Sequence, residues 1–184
     1  KGYLLQADYY QKGMGLDFEN SLNLTYFIGT AKNYYKINER FYFATQVKGK
    51  YTPSKQVPYF LQEGLGYANF VRGYEYYILD GQHFAIVKTN LKYNLIKPRE
   101  RNIDWLENTN FSIFHYAVYL NLYADAGYVW DKYYFEKNVL NNKLVNGVGL
   151  GLDFVSFYDK VIRFEYSINR ELRHGFFLHF IQPI

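Results

Sequence analysis

The chain has no cysteine, which excludes disulfides and thiolate metal sites. No apolar run approaches the roughly 18–20 residues of a membrane-spanning helix, and mean hydropathy is only −0.33. No strong charge of either sign is present: 21 basic residues face 17 acidic ones, and they are scattered rather than gathered. That balance is too mild and too dispersed to point to nucleic acid. There is no G-x-S-x-G, and Ser112, Ser156 and Ser167 have no histidine and acid at suggestive positions. The histidines, His83, His115, His174 and His179, show no ligand spacing. His174 and His179 lie five apart and so fall on opposite faces of a strand. "GLGYANFVRG" lacks the Lys-Ser/Thr of a phosphate loop and no helix follows it. These absences point to a protein that is not an enzyme, with no catalytic residue, no metal and no cofactor.

Aromatic residues, by contrast, are abundant: 22 Tyr and 16 Phe among 184 residues. A high aromatic load without a long apolar run leaves two architectures, a soluble β protein or a transmembrane β-barrel, whose strands alternate between lipid and lumen. Period two is widespread. In "VIRFEYSIN", Ile162, Phe164, Tyr166 and Ile168 oppose Arg163, Glu165, Ser167 and Asn169. In "GVGLGLDF", Val148, Leu150, Leu152 and Phe154 oppose Gly147, Gly149, Gly151 and Asp153. "YAVYLNLYADAGY" sets Leu120, Leu122 and Ala124 against Asn121, Tyr123, Asp125 and Gly127. Similar rows start at Tyr3, Leu22, Phe41 and Ala85, and the last segment groups Phe176, Leu178 and Phe180. About eight strands result, of the ~9–11 residues that a tilted barrel strand needs. The fold expected is all-β, an antiparallel transmembrane barrel segment occupying residues 1–184. A soluble sandwich is the weaker reading, because it would not place so many Tyr, Phe and Leu along full-length strands.

Tight turns are expected near Asn38 and Asp159 and longer connections at Thr52 to Gly81, Ile96 to Asn110 and Asp131 to Lys143. Barrels of this class keep short turns on one side and long loops on the other. The Ile96 connection then falls on the short side, against the rule. Tyr34–Tyr35, Tyr76–Tyr77, Trp130 and Tyr133–Tyr134 sit near strand ends, where girdle aromatics meet the membrane interface.

The Thr52 to Gly81 connection contains Val71, Arg72, Gly73 and Tyr74. A loop of that length folded into a lumen would need acceptors for its guanidinium, since a screened charge is costly unless paired. Asp125, Asp153 and Glu165 sit on the polar faces of their strands and offer a fit to the arginine fork. Gly73 permits a tight turn, and the row Gly147, Gly149 and Gly151 suits a close approach of other backbone. An eight-stranded barrel closed on itself is just filled by side chains. The strands are therefore expected to complete a larger barrel, with another segment of the same protein or a second copy.

"VRGYEYYILDG" followed by an alternating strand resembles the V/I-R-G-F/Y loop of the BamA/TamA superfamily (bacterial surface antigens), outer-membrane insertases and transporters. "YADAGYVW", with Asp125 and Gly127, resembles that family's F-x-D-x-G strand, and "NGVGLGLDF…IRFEYSINREL…GFFLHF" resembles its last three strands. The tyrosine-rich wording is similar to members from Bacteroidetes-type bacteria. The resemblance implies the C-terminal half of a sixteen-stranded barrel in the bacterial outer membrane. It implies a loop bracing the wall through Arg72 and the Asp125 strand. It also implies a lateral seam along Phe176, Leu178 and Phe180, where client strands enter. The implied partners are outer-membrane lipid and client outer-membrane proteins. Two features depart from the family: the ending "FIQPI" is not the usual terminal aromatic, and the POTRA domains and early strands lie outside this chain, which reads as a mature form or fragment. A passive channel, or the membrane anchor of an upstream passenger enzyme, are the alternatives.

Overall fold

The computed structural model describes residues 1–13, 24–53, 57–102, 113–134, 136, 138–156 and 160–181. They form one all-β sheet of eight antiparallel strands in sequence order: β1 (Gly2–Lys12), β2 (Leu24–Lys36), β3 (Phe41–Tyr51), β4 (His83–Asn102), β5 (Ile113–Trp130), β6 (Leu144–Val155), β7 (Val161–Asn169) and β8 (His174–Ile181). A 3-10 turn lies at Tyr59–Leu61. Each strand pairs with its neighbours in the chain, and β1 and β8 each pair on one side only, so the sheet is open.

The alternation read from the sequence becomes an inverted arrangement of polarity. The inner face, here the one against which the 52–82 loop packs, buries Asn121, Asp125, Asp153, Glu165, Ser167 and Asn169. The outer face exposes Leu122, Val148, Leu150, Phe164, Phe176 and Phe180. A protein stabilised by transfer of apolar surface out of water would show the reverse.

Two inner regions do obey the usual rule, both beneath the loop. Leu65, Val71, Tyr74 and Leu79 of the loop pack on Phe84, Ile86, Val129 and Val145 at the adjoining ends of β4, β5 and β6. Val57 packs on Leu24 and Tyr26 of β2. Beneath the loop, inward apolar residues of the strands are matched by apolar residues of the loop.

The hairpin between β2 and β3 is tight because the Asn38 side chain accepts from the backbone N–H of Arg40 at 2.9 Å and of Phe41 at 2.8 Å. The turn expected at Asp159 and the row's first residue, Leu22, lie outside the described residues. The 52–82 and 131–143 connections emerge at the same end of the sheet, as the strand order requires. The Ile96 to Asn110 loop is corrected in part: β4 continues to Asn102, paired to β5 through Arg99↔Tyr116 and beyond. Pro98, which has no N–H for the ladder, sits in the register shift between Ile96 and Arg99. The bulge absorbs the proline, and the strand continues through a stretch whose polar composition reads as a loop.

The aromatic girdle also needs correction. Tyr34, Tyr35 and Trp130 are exposed at strand ends. Tyr76 and Tyr77 lie on the loop instead, against inward-facing Phe177 and against Tyr74. Tyr134 meets Tyr59 of the 52–82 loop at 5.7 Å. Those aromatics hold the loop rather than border the outer face.

Candidate functional site

The 52–82 loop is fastened before it reaches Arg72. At its base the Thr52 hydroxyl donates to the Gln82 carbonyl at 2.7 Å, and the Thr52 N–H donates to His83 Nδ1 at 3.0 Å. Lys50 of β3 donates to the Glu63 carbonyl at 2.7 Å. Leu65 and Leu79 exchange backbone hydrogen bonds of 2.8 Å, pinching the intervening segment into a closed lobe. Within the lobe two successive turns are marked by Tyr74 N–H to Val71 O and Tyr77 N–H to Tyr74 O. Gly73 has φ +93°, a conformation that side-chain-bearing residues rarely adopt.

Arg72 is 4% exposed and its donors are well supplied. Nε donates to Asp125 Oδ2 at 2.7 Å and Nη2 to Asp125 Oδ1 at 2.5 Å, a fork-to-carboxylate pair. Nη1 donates to Asn90 Oδ1 at 2.6 Å and Nη2 to the Thr89 carbonyl at 3.1 Å. The guanidinium lies 3.8 Å from the centre of the Tyr123 ring. The Tyr123 hydroxyl shares a 2.6 Å hydrogen bond with Ser167 Oγ. Arg72 thus ties the loop to β4 and β5, and through Tyr123 reaches β7.

The sequence-derived partners of the loop separate into two groups. Asp125 meets Arg72, and Glu165 lies 3.5 Å from Arg72 Nη1. Gly127 receives the loop, since a Cβ there would collide with Leu65 and Val71, and at Gly147 a Cβ would overlap the Arg72 carbonyl oxygen. Gly149 and Gly151 do not face the loop: a Cβ would meet Tyr123 and Tyr166 at the first, and Glu165 and Asn121 at the second. Asp153 belongs elsewhere too, paired with Arg163 at 2.5 and 2.8 Å and with Lys92 at 3.0 Å. It stands six residues along β6 from Gly147, directly across from Arg163, which with Lys92 takes its oxygens. The sheet therefore carries two buried clamps, Arg72–Asp125 for the loop and Arg163–Asp153 between β6 and β7.

On the far side of the lobe, Asn169 Nδ2 donates to the Gly73 carbonyl at 3.0 Å and the Tyr74 hydroxyl donates to Glu171 in the turn before β8. That bond, with burial, pushes the Tyr74 phenol well above its ordinary range. Glu75 Oε2 accepts from the Gly73 N–H at 2.8 Å, and burial pushes the Glu75 carboxyl up. A second polar cluster seats the lobe against the β5–β6 connection: Asn141 Nδ2 donates to the Asp80 carbonyl at 2.6 Å and to Asp131 Oδ2 at 3.2 Å. Tyr67 donates to Asp80 Oδ1 at 3.1 Å. Period two places Asn169 on the polar face of its strand but not against the loop, and Glu171 and Asn141 escaped the sequence reading because polar residues in turns carry no periodic signal.

Phe176, Leu178 and Phe180 lie together on the outer face of edge strand β8, with Phe176 and Phe180 82% and 77% exposed. The inward residues of that strand meet the loop: His179 stacks on Phe70 at 5.8 Å and Phe177 on Tyr76 at 5.4 Å. Ser167 and His174 lie on opposite faces of the sheet. Ser167 bonds Tyr123 inside, while His174 bonds the Tyr166 hydroxyl outside at 2.7 Å.

The arrangement is one of bracing: a long loop held by buried ion pairs on the polar face of an open sheet whose other face is apolar. No family model, no curated protein and no solved structure matches the chain.

Proposed function

We propose that this chain is the C-terminal part of an outer-membrane β-barrel of the BamA/TamA type, which assists insertion or translocation of other proteins. The observation that carries the reading is the seating of Arg72 on Asp125 at the inner face of a sheet that is apolar outside. Inverted polarity is what a barrel wall between lipid and a wet lumen requires. A thirty-residue loop held inside leaves no space for a small closed barrel, so further strands complete the wall, from the same protein or a second copy. The open edge of β8 is the surface for a client strand, because unpaired strand edges accept a further strand through main-chain hydrogen bonds. The loop keeps β4–β7 rigid while that edge works.

The test is reconstitution of the intact protein in liposomes with an unfolded barrel client, scoring client folding by protease protection. Faster folding than in empty liposomes is expected. No acceleration together with a steady ion leak would replace this reading by that of a passive channel, in which Arg72 constricts the lumen.

A further inference from the structure

Where the loop meets β7 and β8, buried polar atoms converge whose hydrogen bonding is incomplete, with Glu165 and His179 held by longer ion-pair contacts alone. Glu75 Oε1, Glu165 Oε1 and His179 Nε2 are all shielded from solvent and make no hydrogen bond. Ligand atoms from these residues, one each, lie within 4.8 Å of one another. Glu165 is 3% exposed and turns its two oxygens in different directions. Oε1 faces Arg72 and Arg163 at 3.5 and 3.6 Å, while Oε2 lies 3.2 Å from His179 Nε2. Glu75 is aimed by the Gly73 N–H on its Oε2, and His179 is held between the Phe70 and Phe177 rings.

The charges around the cluster leave an opening. Arg72 is matched by Asp125 and Arg163 by Asp153, each through a two-bond fork. Lys92 also goes to Asp153, and the Lys88 ammonium sits over the Phe70 ring at 4.4 Å. Glu165 has only the longer ion-pair contacts to Arg72, Arg163 and His179, and Glu75 has no ion pair among the described residues, so neither carboxylate is held by a fork. Two carboxylates and an imidazole make a mixed O/N donor set. Ca²⁺ and Mg²⁺ favour oxygen alone, whereas Zn²⁺ takes both donor types. Zn²⁺ bonds of about 2.0–2.1 Å place neighbouring tetrahedral ligands roughly 3.3 Å apart. The 3.2 Å between Glu165 Oε2 and His179 Nε2 has that span.

We propose that Glu75, Glu165 and His179 bind a divalent first-row transition cation, with Zn²⁺ the best match and water completing the coordination. The site joins the loop, β7 and β8, so an occupied site fastens the edge strand to the lobe. It does not depend on what the barrel transports.

The intact protein, folded in detergent, carrying no histidine tag and stripped with a chelator, is titrated with Co²⁺ and with Zn²⁺. The expected result is one equivalent bound per chain, a visible ligand-field spectrum for Co²⁺ and its displacement by Zn²⁺. His179→Gln and Glu75→Gln should each weaken binding by at least about tenfold. His115→Gln, at an exposed residue near Glu100, should leave it unchanged. The Co²⁺ spectrum needs no variant, so a folding defect in either substitution leaves the proposal testable. Absence of a stoichiometric Co²⁺ or Zn²⁺ complex in the wild type overturns it; so does wild-type affinity in folded His179→Gln and Glu75→Gln, which would leave the cluster as a proton-sharing group.

Discussion

Strands β1–β3 and strands β4–β8 follow the same alternation, yet their inner faces differ. On β5 the inward residues Tyr123, Asp125 and Val129 are all buried and in contact with the lobe. On β1 the inward residues Leu4, Gln6 and Tyr10 remain exposed, and among the described residues the Gln6 side chain bonds its strand neighbour Asp8. Tyr3 on the other face is 81% exposed, so β1 is open on both sides. Period two decides which face a residue takes, but the loop decides whether that face is buried. The loop covers β4–β7 and touches β2 and β3 at one end, through Val57 on Leu24 and Lys50 on Glu63.

The largest effect should come from breaking the clamp that makes the two halves different. Arg72→Ala leaves Asp125 buried at 3% exposure with no cation in its fork. Losing one partner of a buried pair costs about 3–5 kcal/mol. The variant should lose the heat-resistant, fast-migrating band in unboiled gels well below the wild-type temperature. Arg72→Lys should recover only part, since an ammonium cannot reproduce the fork. Wild-type heat resistance in Arg72→Ala would remove the bracing role.

The glycines give a finer cut. At Gly147 an added methyl overlaps the Arg72 carbonyl oxygen, and neither backbone can yield cheaply. Gly147→Ala should therefore cost about 2 kcal/mol, within the usual overpacking range, and make the 52–82 loop sensitive to protease. At Gly149 an added methyl overlaps the Tyr166 carbonyl oxygen of β7 and the Tyr123 phenol, so Gly149→Ala should strain the β6–β7 pairing and the Tyr123–Ser167 bond while leaving the loop seated. Equal loop cleavage in both variants would mean that the glycine row acts as a whole.

What was legible in the sequence follows the same division. Strand faces were readable because period two survives whatever packs on the strand. That Arg72 needs a carboxylate was readable from its place in a long loop, and the polar strand faces offered Asp125, Asp153 and Glu165; the family resemblance, not the residues, singled out the Asp125 strand. Phe84 and Ile86 broke the polar pattern of β4, and only the position of the lobe explains them. Asp153 looked equivalent to Asp125, but its place across from Arg163 assigns it there. The β4 extension was hidden by the polar composition of that stretch, and the ladder admits its Pro98 at the bulge. The meeting of Glu75 with His179 joins residues remote in sequence, and no local spacing encodes it.

Tyr74 tests the seam between the lobe and β8. Its phenol donates to Glu171, and its folded value lies above the ordinary value of about 10. A raised folded value means that the stability is fully present below pH ~10 and is lost as pH rises through the folded value. Tyr74→Phe should cost about 1 kcal/mol at neutral pH, the ordinary net worth of such a bond when its acceptor is exposed. It should also flatten the alkaline fall in thermal stability that the wild type shows. An alkaline limb unchanged in Tyr74→Phe would assign that fall to another group.

The smallest effect compares two amides on the inner face. Asn90 of β4 accepts from Arg72 at 2.6 Å, whereas Gln6 of β1 bonds Asp8. Gln6→Ala should change stability by no more than about 0.5 kcal/mol, as exposed substitutions do. Asn90→Ala should cost more, because it removes a charge-assisted partner of the clamp. Melting of the two variants in the intact protein measures the gap. If Gln6→Ala matched Asn90→Ala, the inner face of β1 would be covered in the intact protein, and the contrast between the two halves would belong to this segment alone.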